Sequence, residues 1–359
     1  MRFRIGKREV GDGTPCFIVY EAGPTHDGLE QATDLCRLAA EAGADAVKFQ
    51  IIDPDRLVAD RKQLFSYDVL VDRSTGVTET MSEPLYDILS RRSMPQDDWR
   101  KLKQYCDTLG LAFFATVGFD DEVDFLQEVG CHSVKIASAD INHYPLMTYA
   151  AQRIDSIQID TGNASIGEVE AAVDVIRRSG SEHVVIHHCP SGYPARLESI
   201  NLRVIPTLKT MFDLPIAYSD HTPGWDMDIA AIALGANMVE KTITHDRTTR
   251  SVEHMFSLEP ADMAAFIRAV RDLETALGGT RKRLSDTELR NRVAIRRSAH
   301  VRRAVRKGEA LDLALVEFRR PGHGIGPHEI ETFLGSSFAH DMKAGAAVRP
   351  TDLAGRSEA

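Results

Sequence analysis

Short apolar runs recur along the first two-thirds of the chain, and each one stops at polar or ionisable side chains. They are CFIVYEAG, ADAVKFQ, LAFFATV, HSVKIASA, DSIQIDTG, HVVIHHC, PIAYSDH and NMVEKTIT. Their length and their β-branched and aromatic content predict strands. Between most of them lie segments of helical period: LEQATDLCRLAAEAGA, DDWRKLKQYCDTLG, VEAAVDVIRRSG and DIAAIALGA. Each ends at or near a glycine, as helix C-termini often do. Ser165 followed by Glu168 predicts a capping box opening the third of these helices. Strands alternating with helices predict βαβ units and a parallel sheet. Eight such units within about 250 residues predict a closed (β/α)8 TIM barrel, with a doubly wound open sheet as the rival.

A barrel makes the polar endings intelligible, because active sites of this fold sit where the C-terminal ends of the strands converge. The endings offer Glu21, Lys48 and Gln50, Thr116, Lys135 and Ser138, Asp160 and Thr161, His187 and His188, Ser219 and His221, then Glu240, Lys241 and Thr242. Any one has an ordinary explanation as a solvated lysine or a hydrogen-bonded histidine. Eight pointing into one mouth predict a site. Lysines with several hydroxyls suit an anionic ligand, one supplying charge and the other directional donors. Histidines and carboxylates beside them suit a divalent metal or proton transfer. The expected substrate is small, phosphorylated or carboxylated, and reacts at a carbonyl or phosphate.

The 359 residues leave room for a barrel and a small extra domain. A net charge of −10 argues against a general nucleic-acid partner. The five cysteines are odd in number and show no CxxC spacing, which predicts reduced core thiols. MRFRIGKREV carries no apolar signal core, and no run reaches the roughly 18 apolar residues of a membrane span, so a cytoplasmic protein is expected. Residues 51–94 exceed an ordinary barrel loop and are expected to form a lid or a dimer contact. The basic stretch RKRLSDTELRNRVAIRRSAHVRRAVRKGE lacks aromatics and is expected to steer an anionic substrate rather than hold nucleic acid.

At the strand ends the chain resembles the sialic acid synthase family. The residues that carry the likeness are EAGPTHDG, GADAVKFQ, FFATVGFD, VKIASADINHYPL, IDTGNAS, HHCPSGYP, YSDHTPG and EKTITHDRTTRSVEHMFSLEP. RRSAHVRRAVRKGEAL and FRRPGHGIG extend it into that family's C-terminal antifreeze-like (SAF) domain. The resemblance implies a barrel over 1–280, a linker over 281–295 and a SAF domain over 296–359, in a domain-swapped homodimer. It implies condensation of phosphoenolpyruvate with an amino-sugar aldehyde: C3 joins the aldehyde carbon, water adds at C2, and phosphate leaves to give a nonulosonic 3-deoxy-2-keto acid. Lys48, Thr116, Lys135, Ser138, Ser191 and Ser219 would hold phosphoenolpyruvate. Glu21, Lys48, Lys135 and Asp140 would serve catalysis, and Gln50, Tyr193, Glu253 and Arg320 the sugar.

The likeness fails at informative places. Relatives commonly read E-K-H where this chain has Glu240-Lys241-Thr242, and that histidine is their second metal ligand. A hydroxyl binds divalent metals weakly beside imidazole. Glu240 shares a strand face with Thr242, so His221 and Glu240 are the expected ligands for Mn²⁺ or Mg²⁺. Asp160 stands in place of a serine and Ser191 in place of an asparagine. A Schiff-base aldolase using Lys135 or Lys241 and a non-catalytic sugar-acid-binding barrel are the alternative functions.

Overall fold

The computed structural model describes residues 1–354. All eight expected runs are strands: β1 (Phe17–Glu21), β2 (Ala46–Gln50), β3 (Ala112–Val117), β4 (Ser133–Ile136), β5 (Ser156–Asp160), β6 (Val184–His188), β7 (Ile216–Asp220) and β8 (Met238–Thr242). They pair in parallel in chain order, and β8 returns to β1, with Thr242 opposite Glu21, to close the barrel. The open-sheet rival is thereby excluded. Ser165 and Glu168 form the expected capping box at the start of the helix Ile166–Arg178. The helices Leu29–Ala42 and Gln96–Leu109 end at Gly43 and Gly110, whose φ values of 95° and 75° suit glycine.

Strand alternation builds the barrel interior in layers. The lower layer is apolar and includes Phe17, Val19, Ala46, Phe114, Val185, Ala217 and Met238. Phe3, Ile5 and Val10 join it from an N-terminal hairpin, Arg2–Ile5 with Arg8–Gly11. The next inward positions are Glu21, Lys48, Lys135, His187, Ser219 and Glu240. An apolar plug therefore supports a polar floor at the C-terminal ends of the strands. The outward faces pack on the helices, and all five cysteines are buried free thiols.

The 51–94 segment contains a twisted antiparallel hairpin, Leu64–Asp72 with Val77–Pro84, followed by the helix Leu85–Ser90. It is tied to the barrel loops. Tyr67, Val69 and Ile88 pack with Val252, and Asp68 N–H donates to the Tyr193 carbonyl at 3.3 Å. Arg73 meets Asp246 and Glu259, each at 2.5 Å.

The chain divides into two compact units, Met1–Gly278 and Gly279–Ala359. The second contains the helix Asp286–Ile295 and two small antiparallel pairs, Ser298–Val301 with Val316–Arg319 and Ser337–Phe338 with Leu353–Ala354. Ala299, Val301, Val316, Ile325, Phe338 and Val348 form its core. The last five positions of the expected 296–359 domain lie outside the described residues. No described helix is long and apolar enough to cross a membrane.

Candidate active site

The floor is a network of buried charge. Lys48 Nζ contacts Glu21 Oε2 and lies 2.8 Å from Glu240 Oε1; Lys135 Nζ lies 2.7 Å from that same oxygen. Lys135 also donates to Asp160 at 2.9 Å and to Ser219 Oγ at 3.1 Å. An ammonium has three N–H groups, so Lys135 is saturated, whereas Lys48 with two carboxylate partners keeps one for a ligand. Burial alone would lower Lys48, but Glu21 and Glu240 outweigh it and hold the group well above its ordinary range. Burial would raise Glu240, yet Lys135 and then Lys48 hold it well below the usual carboxylate range.

A hydrogen-bond chain fixes Lys135 from below. Ser219 Oγ lies 2.9 Å from His187 Nδ1, and His187 Nε2 lies 2.8 Å from Gln158 Oε1. Gln158 Nε2 donates to Ser133 Oγ at 2.9 Å. Burial and then Lys135 push His187 down to about 3, so its ring is neutral. With Gln158 using its amide to donate, its carbonyl accepts the His187 Nε2–H, and Nδ1 accepts from Ser219.

Above the floor opens a cavity of about 410 Å³. Glu21, Lys48, Gln50, Thr116, Ser138, Ser191, Tyr193, His221, Glu240 and Glu253 line it, as does Asp160, which pairs with Lys135 instead of facing an anion alone. Lys135 and Ser219 lie beneath it, reached through Glu240 and Asp160. Gly162 N–H donates to Ser138 Oγ at 3.0 Å. A Cβ on Gly162 would stand 2.6 Å from Ser138 Oγ and 2.8 Å from Ser191 Oγ, so only glycine leaves this hydroxyl pair accessible. Gly23 N–H donates to Glu21 Oε1 at 2.6 Å and pins that carboxylate. Glu253 holds φ at 69°, a costly conformation for a non-glycine residue, and accepts from Thr242 Oγ1 at 3.2 Å. Burial, then Glu21, pushes its carboxyl up to about 8.

Several expected residues lie elsewhere. Lys241 faces outward from β8, where it pairs with Asp220 and donates to the Thr222 carbonyl at 2.5 Å. It is thus no candidate for Schiff-base chemistry at the mouth, and Lys135, saturated between two carboxylates, presents no free amine. His188 likewise points outward and meets the Ile200 carbonyl at 2.6 Å. His245 pairs with Asp34 at 2.9 Å on the surface. Asp140 is half-buried on the turn Ser138–Asp140 above β4, outside the cavity lining. Arg320 lies exposed in the second unit, directly after the strand Val316–Arg319.

The donor set for a divalent ion does not fit. Among the described residues no three His, Cys, Asp or Glu side chains gather into a group that could hold a metal. Glu240 presents its Oε1 to two lysines, so a cation there would meet two ammoniums. His221 Nδ1 donates to the Pro190 carbonyl at 3.3 Å, leaving Nε2 as its one donor, and Thr242 is turned to Glu253. The expected pair of His221 and Glu240 is not a built metal site.

Arg92 is the functional candidate that sequence reasoning missed. It lines the cavity from the end of the 51–94 segment, with Nη1 bound to Asp27 and the His26 carbonyl and Nη2 donating to Ser251 Oγ at 2.9 Å. Burial and then Arg92 push His254 down to about 3, leaving it neutral 3.5 Å from Nη2. Nothing in the run SRRSMP separates Arg92 from its exposed neighbour Arg91; only the fold does.

A closed parallel barrel with a buried lysine and several hydroxyls converging at the strand ends is an arrangement that could hold a small anion. The chain belongs to the NeuB family, which it matches over residues 35–282, and it carries a SAF domain match over 296–354. It is 34% identical over 349 residues to the N,N'-diacetyllegionaminic acid synthase of Legionella pneumophila, covering 96% of each chain. It is 31% identical to the human N-acetylneuraminate-9-phosphate synthase, covering 91% of this chain and 90% of that one. The crystal structure of N-acetylneuraminic acid (sialic acid) synthetase from Leptospira borgpetersenii in complex with citrate superposes with a TM-score of 0.70 at 28% identity, covering 81% of this chain and 95% of that one.

Proposed function

We propose that the barrel condenses phosphoenolpyruvate with an amino-sugar aldehyde, N-acetylmannosamine or a related diacetamido-trideoxyhexose, to a nonulosonic 3-deoxy-2-keto acid. The observation that carries this reading is Lys48, buried and charged with one donor open to the cavity, beside the hydroxyls of Thr116, Ser138 and Ser191. Such a group binds a phosphate or carboxylate strongly because it is already desolvated and held in place. Lys135, fixed through Ser219 and His187, keeps Glu240 ionised and so sets the field beneath the ligand. C3 of phosphoenolpyruvate attacks the aldehyde carbon; water adds at C2; the C2–O bond to phosphate breaks. The new alkoxide needs a proton, and Glu253 is a carboxylic acid that retains one near neutral pH. Glu21, held by the Gly23 N–H, would accept the proton of the attacking water in this reading. The relatives' names as nonulosonic acid synthases support the product class.

Phosphate release from phosphoenolpyruvate, assayed against a panel of amino-sugars with mass spectrometry of the product, tests the reading. A product mass equal to acceptor plus pyruvate supports it; binding without turnover across the panel leaves a sugar-acid-binding barrel instead. The swapped homodimer belongs to the same proposal. Arg320→Ala mixed with Lys48→Met should recover some activity if the second unit serves a partner's cavity.

A further inference from the structure

Opposite the charged floor, the cavity wall is Phe65, Leu85, Ile88 and Leu89 from the 51–94 segment, continued by Val252 from the loop after β8. Ile88 and Val252 pack with Tyr67 and Val69, so this segment and that loop form one unit. Arg92 follows directly on the wall and ties it to two loops. Its Nη1 binds Asp27 and the His26 carbonyl in the loop after β1. Its Nη2 donates to Ser251 Oγ at 2.9 Å and lies 3.5 Å from His254 Nε2, both in the loop after β8.

Ser251 and His254 stand on either side of Glu253, so one guanidinium nitrogen meets both flanks of that residue. Glu253 sits at φ 69°, a conformation that persists only where the surroundings enforce it. The rest of the loop is held in the same way. Ser257 Oγ donates to the Glu253 carbonyl at 2.6 Å, and His254 Nδ1 lies 2.8 Å from Thr244 Oγ1. With Nη2 facing its Nε2, the neutral His254 ring carries its proton on Nδ1 and gives it to Thr244. Arg92, Ser251 and His254 are all buried, so water cannot take over a contact that is lost. A lysine could not replace the arginine, because one ammonium cannot stand at Asp27 and at Ser251 together.

We propose that Arg92 is a positioning residue, holding the 251–254 backbone so that the Glu253 carboxyl stands in the cavity where the new alkoxide forms. This rests on the condensing reading above, in which Glu253 gives that alkoxide its proton. The segment inserted between β2 and β3 then aligns the acid as well as forming the wall.

The test measures kcat and KM for phosphate release, using the best acceptor of the amino-sugar panel. Arg92→Lys keeps a charge for Asp27 but gives up Ser251. Its kcat should fall at least about tenfold, with the KM for phosphoenolpyruvate within about twofold of the parent, since Lys48 and the hydroxyls are untouched. Ser251→Ala breaks the same contact from the other side and should lower kcat at least about threefold, again with that KM kept. Glu253→Gln should cost at least as much as Arg92→Lys. Combining the two should lower kcat no more than about twofold beyond Glu253→Gln alone, because the clamp has nothing left to position. Should Arg92→Lys fail to fold, Ser251→Ala and its combination with Glu253→Gln decide in the same way. Parent-like kcat in either clamp variant, a change in KM in place of kcat, or losses that multiply in the double variant overturn the inference and leave the condensing reading standing. Parent-like kcat in Glu253→Gln overturns the inference together with the proton-donating role of Glu253. No phosphate release by the parent with any acceptor overturns both readings.

Discussion

Lys135 and Lys241 are both 0% exposed, and each stands against two carboxylates. By burial and pairing alone they are the same kind of residue. They differ in which way their strand turns them. Lys135 faces the barrel interior, where its partners Glu240 and Asp160 border the cavity. Lys241 faces the helix layer, where Asp220 and Asp228 close around it with no opening. A buried ion pair is therefore not a functional signal by itself. It becomes one where the same network ends at a wall that a ligand can reach, and on β8 one residue separates the two outcomes.

Breaking the inner network should cost the most activity. Lys48→Met removes the open donor, and kcat/KM for phosphate release should fall on the order of a thousandfold. Lys241→Met should act on stability instead. It strands buried Asp220 and Asp228, and urea unfolding should show a loss of about 3–5 kcal/mol, with kcat/KM of the folded protein within about threefold of the parent. Loss of activity without loss of stability in Lys241→Met would contradict the division.

Glu253 sharpens the contrast through pH. Its folded carboxyl titrates near 8, against about 4.3 for an unfolded glutamate. Between those values the folded state holds a proton that the unfolded state has released. The stabilisation is complete below the unfolded value and is lost as pH rises through the folded one. Glu253→Gln should therefore flatten the decline in stability between about pH 5 and pH 8, measured by denaturant midpoints across that range. An identical slope in the variant would mean that Glu253 is ionised throughout.

The smallest effect expected is at Thr242. Thr242→His places a second imidazole on the face that carries Glu240, but Lys48 and Lys135 still occupy that carboxylate, so Mn²⁺ should bind neither the parent nor the variant measurably by calorimetry. Mn²⁺ binding gained in the variant would mean that the two lysines do not exclude a cation from Glu240.

Much of this was legible in the chain, for physical reasons. The eight strands were readable because each is a short buried run ending in a polar residue, and the period of two put Glu240 and Thr242 on one face. That period also places Lys241 on the other face, a consequence that grouping the residues by their position at the strand end concealed. The floor residues were found because they sit on strands. The wall was not, because Leu64–Asp72 and Val77–Pro84 mix exposed and half-buried positions, and their inward side chains meet loops distant in sequence. Arg92 carries no local mark. Asp140 was assigned from its motif, and the turn that holds it keeps it off the cavity. The metal expectation followed residue types, which cannot show that Glu240 is already shared by two lysines.

The central claim is that the inner lysine network, and not the outer one, holds the anionic substrate. Calorimetric titration of phosphoenolpyruvate into the parent protein, Lys241→Met and Lys48→Met tests it most directly. The account predicts comparable binding to the first two and no measurable binding to Lys48→Met. Parent-like affinity in Lys48→Met would contradict it.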